Sequence, residues 1–95
     1  MIVRLVTMTF KEESTEAFLA LFNVYKNQIR SSQGCTGLEL IRNSKIRNQI
    51  CTLSHWGNEN FLNQYRDSEL FGVVWPETKK LFLDKATAVS YEVLI

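Results

Sequence analysis

The chain has 95 residues, enough for one domain and too few for two. Its 11 Lys and Arg residues are nearly balanced by 10 Asp and Glu residues, and no basic face is concentrated enough to favour nucleic acid or a membrane surface. Hydrophobic residues make up 45% of the chain, more than a lone domain of this size needs. We therefore expect one domain over residues 1–95 that uses the excess for a homodimer interface or a ligand pocket.

The two cysteines, Cys35 and Cys51, are too few and too isolated for a disulfide framework or a zinc site, and buried thiols are the simpler interpretation. The first ten residues include Arg4 and alternate apolar with polar residues, unlike a secretory leader. No apolar stretch approaches the roughly 18 residues that a membrane-spanning helix needs. The sequence predicts a cytoplasmic protein without a bound metal.

The first strand is predicted over Ile2 to Phe10, a stretch rich in Val, Ile, Leu and Thr that contains no breaker. After a turn at residues 11–13, Ser14 is the expected N-cap of a helix. Gly34 supplies the left-handed residue at which that helix ends. Between them, an apolar stripe recurs at helical spacing and consists of Phe18, Leu21, Phe22, Tyr25 and Ile29.

Three more strands are predicted. Residues 36–42 and 49–56 alternate in polarity and are joined by a polar hairpin connection over residues 43–48. Within the second of these strands, Ser54 and Trp56 share one face while Leu53 and His55 share the other. Residues 86–95 alternate again, with Val89 on one face, and predict the last strand.

The segment before the last strand is predicted to be helical in several pieces. Asn58 is the expected cap of a short helix, and Ser68 is expected to start a second helical segment. Pro76 is predicted to occupy the first turn of a further piece that extends through Leu81 and Phe82.

This order, β-α-β-β-α-β, is that of the ferredoxin-like α+β fold with a four-stranded antiparallel sheet. Right-handed crossovers place both helical layers on one face of the sheet and leave the other face bare. A bare apolar face on a small domain indicates a partner, and two copies related by a two-fold axis would cover it.

The sequence resembles the antibiotic biosynthesis monooxygenase domain family, whose members are small dimeric α+β barrel proteins. The resemblance covers essentially the whole chain. Its matching features are the opening strand Ile2-Val3-Arg4-Leu5-Val6, the helix with Phe18 and Phe22, the stretch Gly34-Cys35-x-Gly37-Leu38-Glu39-Leu40, and Leu53-Ser54-His55-Trp56 followed by Phe61-Leu62-x-x-Tyr65-Arg66-x-Ser68.

The resemblance implies a function, because some members of this family oxidise quinols or anthrone-type aromatics with O₂ and need neither metal nor flavin. Other members degrade haem, and they carry an Asn on the first strand and a His before the last strand, which this chain lacks. Many relatives also have a His in the second helix where this chain has Tyr65. The implied function is a cofactor-independent monooxygenase of small aromatics. The alternative is a non-catalytic module that binds an apolar metabolite or acts in a stress response.

Two residues are catalytic candidates. His55 is the only histidine and has the intrinsic pKa of a general base, although a strand residue at the sheet or dimer surface is the simpler interpretation. Tyr65 is the second candidate, since its hydroxyl could orient a phenol or an enolate.

The predicted substrate-binding residues are mostly aromatic. They could line a flat apolar slot, although an ordinary aromatic core is the alternative. Arg66 adds a polar group beside them. The predicted set is Trp56, Tyr65, Arg66, Phe71 and Trp75. No glycine-rich phosphate loop, nucleophile elbow or metal-ligand spacing is present, so no cofactor is predicted.

Overall fold

The computed structural model describes residues 1–95 and contains four strands, three α-helices and one short 3-10 turn. The 3-10 turn, Glu12–Ser14, connects the first strand to the first helix. In chain order the elements are β1 (Ile2–Thr9), α1 (Thr15–Arg30), β2 (Cys35–Arg42), β3 (Gln49–Trp56), α2 (Glu59–Arg66), α3 (Glu69–Lys79) and β4 (Thr87–Glu92). None of the helices combines the length and apolarity that crossing a bilayer requires.

The four strands form one sheet in the order β2-β3-β1-β4, and every neighbouring pair is antiparallel. The two central strands align Ile2 with Trp56 at one end and Thr9 with Gln49 at the other. Because β1 separates β3 from β4, and β3 separates β1 from β2, each helical crossover joins parallel strands. The predicted α+β ferredoxin-like fold is confirmed.

The sheet has one face towards the helices and one face bare of helices. Side chains alternate along a strand, so Arg4 and Val6 point towards the helices while Val3 and Leu5 point away. The bare face, called the open face below, carries Val3, Leu5, Thr7, Gly37, Glu39, Ile41, Cys51, Leu53, His55, Val89 and Tyr91.

The core lies between the helix-side face of the sheet and α1. Seven of the ten buried hydrophobic residues form one cluster there. Each large apolar side chain removed from water contributes about 1.5–3 kcal/mol of stability. Phe10 and Phe18 stack at its centre with ring centroids 4.3 Å apart. The cluster comprises Met8, Phe10, Phe18, Phe22, Ile29, Leu38 and Ile50.

Two of the three predicted helix caps are confirmed. The Asn58 side chain accepts a hydrogen bond from the Phe61 backbone N–H at 3.0 Å, and the Ser68 hydroxyl accepts one from Phe71 at 3.2 Å. Ser14 precedes α1 but makes no such bond, because its own backbone is already in the preceding 3-10 turn.

The prediction for Pro76 was wrong, since Pro76 lies inside α3 rather than in the first turn of a new helix. Val74 and Thr78 are buried on one face of α3. This burial stabilises the helix although Pro76 has no N–H for a backbone hydrogen bond. Leu81 and Phe82 are not helical. The Leu81 carbonyl accepts from the Lys11 N–H, and Phe82 forms a bridge with Phe10, which brings the chain back to the end of β1.

Gly34 is the one residue in the left-handed region, with φ of 82°. A Cβ at this position would overlap the Phe61 side chain of α2. The glycine therefore lets the chain leave α1 while α2 packs directly against the turn.

We expect Gly34→Ala to lower the free energy of unfolding by at least about 2 kcal/mol, because left-handed backbone costs alanine roughly 1–2 kcal/mol and the overlap adds to it. The matched control is Gly72→Ala in α3, where a Cβ would meet nothing within 4 Å. Alanine is the better helix former by about 0.5–1 kcal/mol, so that variant should be at least as stable as the wild type. Urea unfolding of both proteins measures the difference, and equal stabilities would contradict the role given to Gly34.

Candidate functional site

A cavity of about 300 Å³ lies between the helix-side face of the sheet and the helices. Fourteen of its nineteen lining residues are hydrophobic, so apolar contacts would dominate the binding of any ligand. Its non-hydrophobic lining residues are Arg4, Thr52, Ser54, Arg66 and Thr78. No Asp, Glu, His or Lys lines it.

The structure brings all five predicted substrate-binding residues to this cavity. The four aromatic rings among them form a continuous series, in which Trp56 stacks on Tyr65 with centroids 5.0 Å apart and planes inclined by 26°. Phe71 meets the Tyr65 ring edge-on at 5.3 Å and stacks on Trp75 at 5.7 Å. Strand β3 supplies the first ring and helices α2 and α3 supply the others, which explains why the set is dispersed along the chain.

Trp56 is the innermost member of this series and is fully buried, with 0% of its surface exposed. Its indole N–H donates to the hydroxyl oxygen of Ser54 at 2.9 Å, two residues earlier on the same face of β3. Because Tyr65 covers the indole ring, Trp56 forms the floor of the cavity and Tyr65 lies between that floor and the open space.

Tyr65 is the polar group best placed to meet a ligand. Its hydroxyl forms no hydrogen bond within the protein. Every fully buried side-chain polar atom does have a partner, so the Tyr65 hydroxyl is accessible to water. Burial raises the pKa of Tyr65 to about 12, and the negative charge of the nearby Cys35 thiolate adds to the effect at alkaline pH. Tyr65 is therefore a neutral phenol at physiological pH, able to donate a hydrogen bond but unable to act as a proton acceptor in the phenolate form.

His55 lies on the open face, separated from the cavity by the sheet. It immediately precedes Trp56, so the alternation of side chains sends the two in opposite directions. Its ring packs over Gly37, where an added Cβ would approach the ring at 3.1 Å. The structure thus does not bring this candidate base to the predicted substrate-binding residues.

Arg4 lines the cavity although the sequence did not predict it as a site residue. Its guanidinium donates to the Ser90 hydroxyl at 3.0 Å, which attaches it to the edge strand β4. Burial lowers the pKa of Arg4, and the positive charge of Arg66 lowers it further. Its position in the sequence offered a signal, because Arg4 is a lone charged residue in an apolar central strand. A charged side chain that points inward from such a strand needs a partner or a cavity.

The buried hydroxyls of Ser54 and Thr78 serve the fold. Ser54 accepts the indole N–H, and the Thr78 hydroxyl donates to the Val74 carbonyl at 2.7 Å within α3. Both were missed by sequence reasoning because neither belongs to a recognisable motif. No three His, Cys, Asp or Glu side chains converge anywhere in the chain as a metal site would require.

Comparison with known proteins identifies the class of protein that this fold and cavity define. The family described as antibiotic biosynthesis monooxygenase matches residues 1–74, so the chain belongs to that family. No curated protein sequence matches the chain.

Solved structures agree on the fold. One described as an antibiotic biosynthesis monooxygenase is 17% identical, covers 100% of both chains and superposes with a TM-score of 0.91. A conserved protein from Methanosarcina mazei Go1 is 18% identical, with 96% of this chain and 91% of that chain covered and a TM-score of 0.89. A protein from Mycobacterium tuberculosis is 13% identical, with 99% and 95% covered and a TM-score of 0.90. Identities this low establish the shared fold alone.

The raised pKa of Tyr65 predicts a loss of stability at alkaline pH. The unfolded chain releases the tyrosine proton near pH 10 whereas the folded protein holds it to about pH 12, so the unfolded state binds fewer protons between these values. The contribution of Tyr65 to the free energy of unfolding is complete below about pH 10, and it falls by about 2 kcal/mol as the pH rises through 12.

Urea unfolding at several pH values between about 9 and 12 measures this effect. Tyr65→Phe should flatten the decline by that amount, while Tyr25→Phe, changed outside the cavity, should follow the wild type. If Tyr65→Phe declined as steeply as the wild type, the buried phenol would not be the cause.

Proposed function

We propose that this protein is a monooxygenase that oxidises a small planar quinol-type aromatic with O₂ and uses neither metal nor flavin. The observation that supports it best is an apolar cavity lined by aromatic rings and by Tyr65, whose neutral phenol has no hydrogen-bond partner in the protein. Membership of the antibiotic biosynthesis monooxygenase family supports the same reaction class.

The size of the cavity favours substrates of one or two fused rings. An engineered cavity of about 150 Å³ binds benzene, and the volume here is about twice that. A naphthalene-sized quinol therefore matches the space better than a three-ring anthrone. Flat rings also suit the walls, since aromatic side chains such as Phe71 and Trp75 line the cavity and offer faces and edges for stacking.

The reaction balances without an external reductant. A quinol and O₂ together contain the atoms of a hydroxyquinone and one water: one oxygen atom joins the ring and the other leaves as water, with the quinol supplying the electrons. Because the cavity offers no side chain that accepts a proton at neutral pH, we infer that the quinol ionises to solvent. Tyr65 then donates a hydrogen bond to the anionic oxygen, and the apolar walls keep water from the reacting carbon.

One observation favours the alternative of a non-catalytic binding module. The only histidine is on the opposite face of the sheet, and the Tyr65 hydroxyl stays protonated, so no residue of the cavity serves as a general base. A protein that only holds a planar metabolite would need no base.

Oxygen consumption with naphthalene-1,4-diol, against the same quinol in buffer alone, tests the proposed reaction. We expect the protein to accelerate O₂ uptake and to place one ¹⁸O atom from ¹⁸O₂ in the product. Tyr65→Phe should lower the rate about tenfold or more, as loss of a charge-stabilising donor does, while Tyr25→Phe should leave it unchanged. Tight quinol binding without accelerated O₂ uptake would instead establish the binding module.

We also propose that two copies pair through the open face. Near its centre Leu5 lies between Leu53 and Val89 on the flanking strands, and the apolar side chains Ile41, Val89 and Tyr91 are 44%, 45% and 53% exposed. No helix covers this face, and a contiguous apolar patch of this kind is typical of an interface. A two-fold axis would bring the same surface of each copy together.

The dimer predicts a mass of twice 11.0 kDa by light scattering at micromolar concentration. Val89→Glu, which buries a charge in the proposed interface, should give monomers. Val73→Glu is the control, because Val73 is 50% exposed on α3 and lies on the helix side of the molecule. A wild-type monomer, or equal effects of the two substitutions, would overturn the proposed interface.

A further inference from the structure

The cavity has an unbalanced positive charge. Arg4 and Arg66 both line it, no carboxylate does, and the one ion pair in the structure joins Lys80 to Glu77 elsewhere. The acidic residues closest in sequence or register, Asp67 and Glu92, pair with neither arginine. A half-buried arginine is ordinarily paired, since an uncompensated charge near apolar surface is costly.

The two arginines also retain most of their hydrogen-bonding capacity. A guanidinium has five N–H donors, and Arg4 uses one on the Ser90 hydroxyl. Both side chains line the same cavity. In agreement with this, the lowered pKa of Arg4 has burial as its first cause and the Arg66 charge as its second. An anion placed between them would relieve both penalties.

We propose that Arg4 and Arg66 form an anion-binding subsite at the open end of the cavity, which selects planar aromatic ligands carrying a negatively charged oxygen. This inference rests on the proposed function, since it assigns a substrate class to the same cavity. Arg66 is exposed and marks the entrance, whereas Arg4 is half-buried beside β4. The charged oxygen lies against the guanidinium groups, where it also accepts the Tyr65 hydrogen bond, and the rings extend inward towards Phe71 and Trp75.

Two kinds of ligand carry such an oxygen. One is an aromatic carboxylate, which is charged at neutral pH and matches the fork of an arginine. The other is the phenolate of an ionised quinol, which the same charges would stabilise. The shared chemistry is an anionic oxygen on a flat ring system, and binding measurements separate the two sources.

Isothermal titration calorimetry of the intact protein with 2-naphthoate and 2-naphthamide tests the subsite, because these ligands share a ring system and differ in charge. We expect 2-naphthoate to bind about tenfold more tightly or better, as charge-assisted hydrogen bonds allow. The preference should shrink as salt rises. Arg4→Gln should remove it, and Arg66→Gln, at an exposed residue that leaves the core intact, should reduce it severalfold.

The control is Arg47→Gln, which removes the same charge from the hairpin between β2 and β3, away from the cavity. It should leave the preference unchanged. Equal affinities for naphthoate and naphthamide, no binding of either ligand, or an Arg47 effect as large as that of Arg4 would each overturn the subsite.

A third ligand, 2-naphthol, separates the sources. If the subsite accepts phenolates, the affinity for 2-naphthol should rise as this ligand ionises. If the subsite accepts only carboxylates, the affinity for 2-naphthol should stay below that for 2-naphthoate. These titrations require no turnover. Selective binding of naphthoate by a protein that fails to consume O₂ would refute the proposed reaction and leave the subsite standing. Accelerated O₂ uptake by a protein that binds naphthoate and naphthamide equally would refute the subsite and leave the proposed reaction standing.

Discussion

The alternation of side chains along β1 and β3 is the constraint on which this molecule depends. The two strands occupy the centre of the sheet, so every residue on them lies either on the helix-side face or on the open face. Trp56 and His55 are neighbours in sequence and lie on opposite sides for this reason alone. A slip of one residue in the pairing of β1 with β3 would exchange the two surfaces, and with them the cavity and the proposed interface.

The cavity between the sheet and the helices is the basis of the proposed function. Its walls are mainly hydrophobic and include aromatic rings from β3, α2 and α3. Its polar groups are few: one free phenol, two arginines and hydroxyls that mostly serve the backbone or an indole. Such a site cannot transfer a proton by itself. In the proposed reaction it holds a flat ring, excludes water and favours a negative charge, so the reactivity has to come from the ligand.

The sequence was sufficient for the fold because each element has a strong local signal. Helical periodicity marked α1, alternation marked the strands, and Gly34, Asn58 and Ser68 marked helix boundaries. Pro76 was misplaced because proline is commonest in a first turn, and burial of Val74 and Thr78 outweighed that preference. Local sequence preferences do not include tertiary contacts, which can stabilise a helix that contains a proline.

The site was less accessible to the sequence. Aromatic residues on β3, α2 and α3 could be grouped by composition, and the structure places them around one cavity. Arg4 was missed because it is more than sixty residues from Arg66, and only the sheet brings β1 beside the helical crossover. Alternation shows that His55 and Trp56 lie on opposite faces of β3. It does not show which of these faces is turned towards the helices, so the sequence could not place His55 outside the cavity.

Strand β4 has a further consequence for motion. All six of its residues are exposed, it borders the sheet, and it pairs with β1 alone. Segments with little buried surface open locally at a lower free-energy cost than the core, so the amide hydrogens of β4 should exchange with solvent before those of β1 or β3. Ala88 lines the cavity and Ser90 holds the Arg4 guanidinium, so each such opening widens the cavity at its charged end. Fraying of the edge strand therefore changes the width of the cavity.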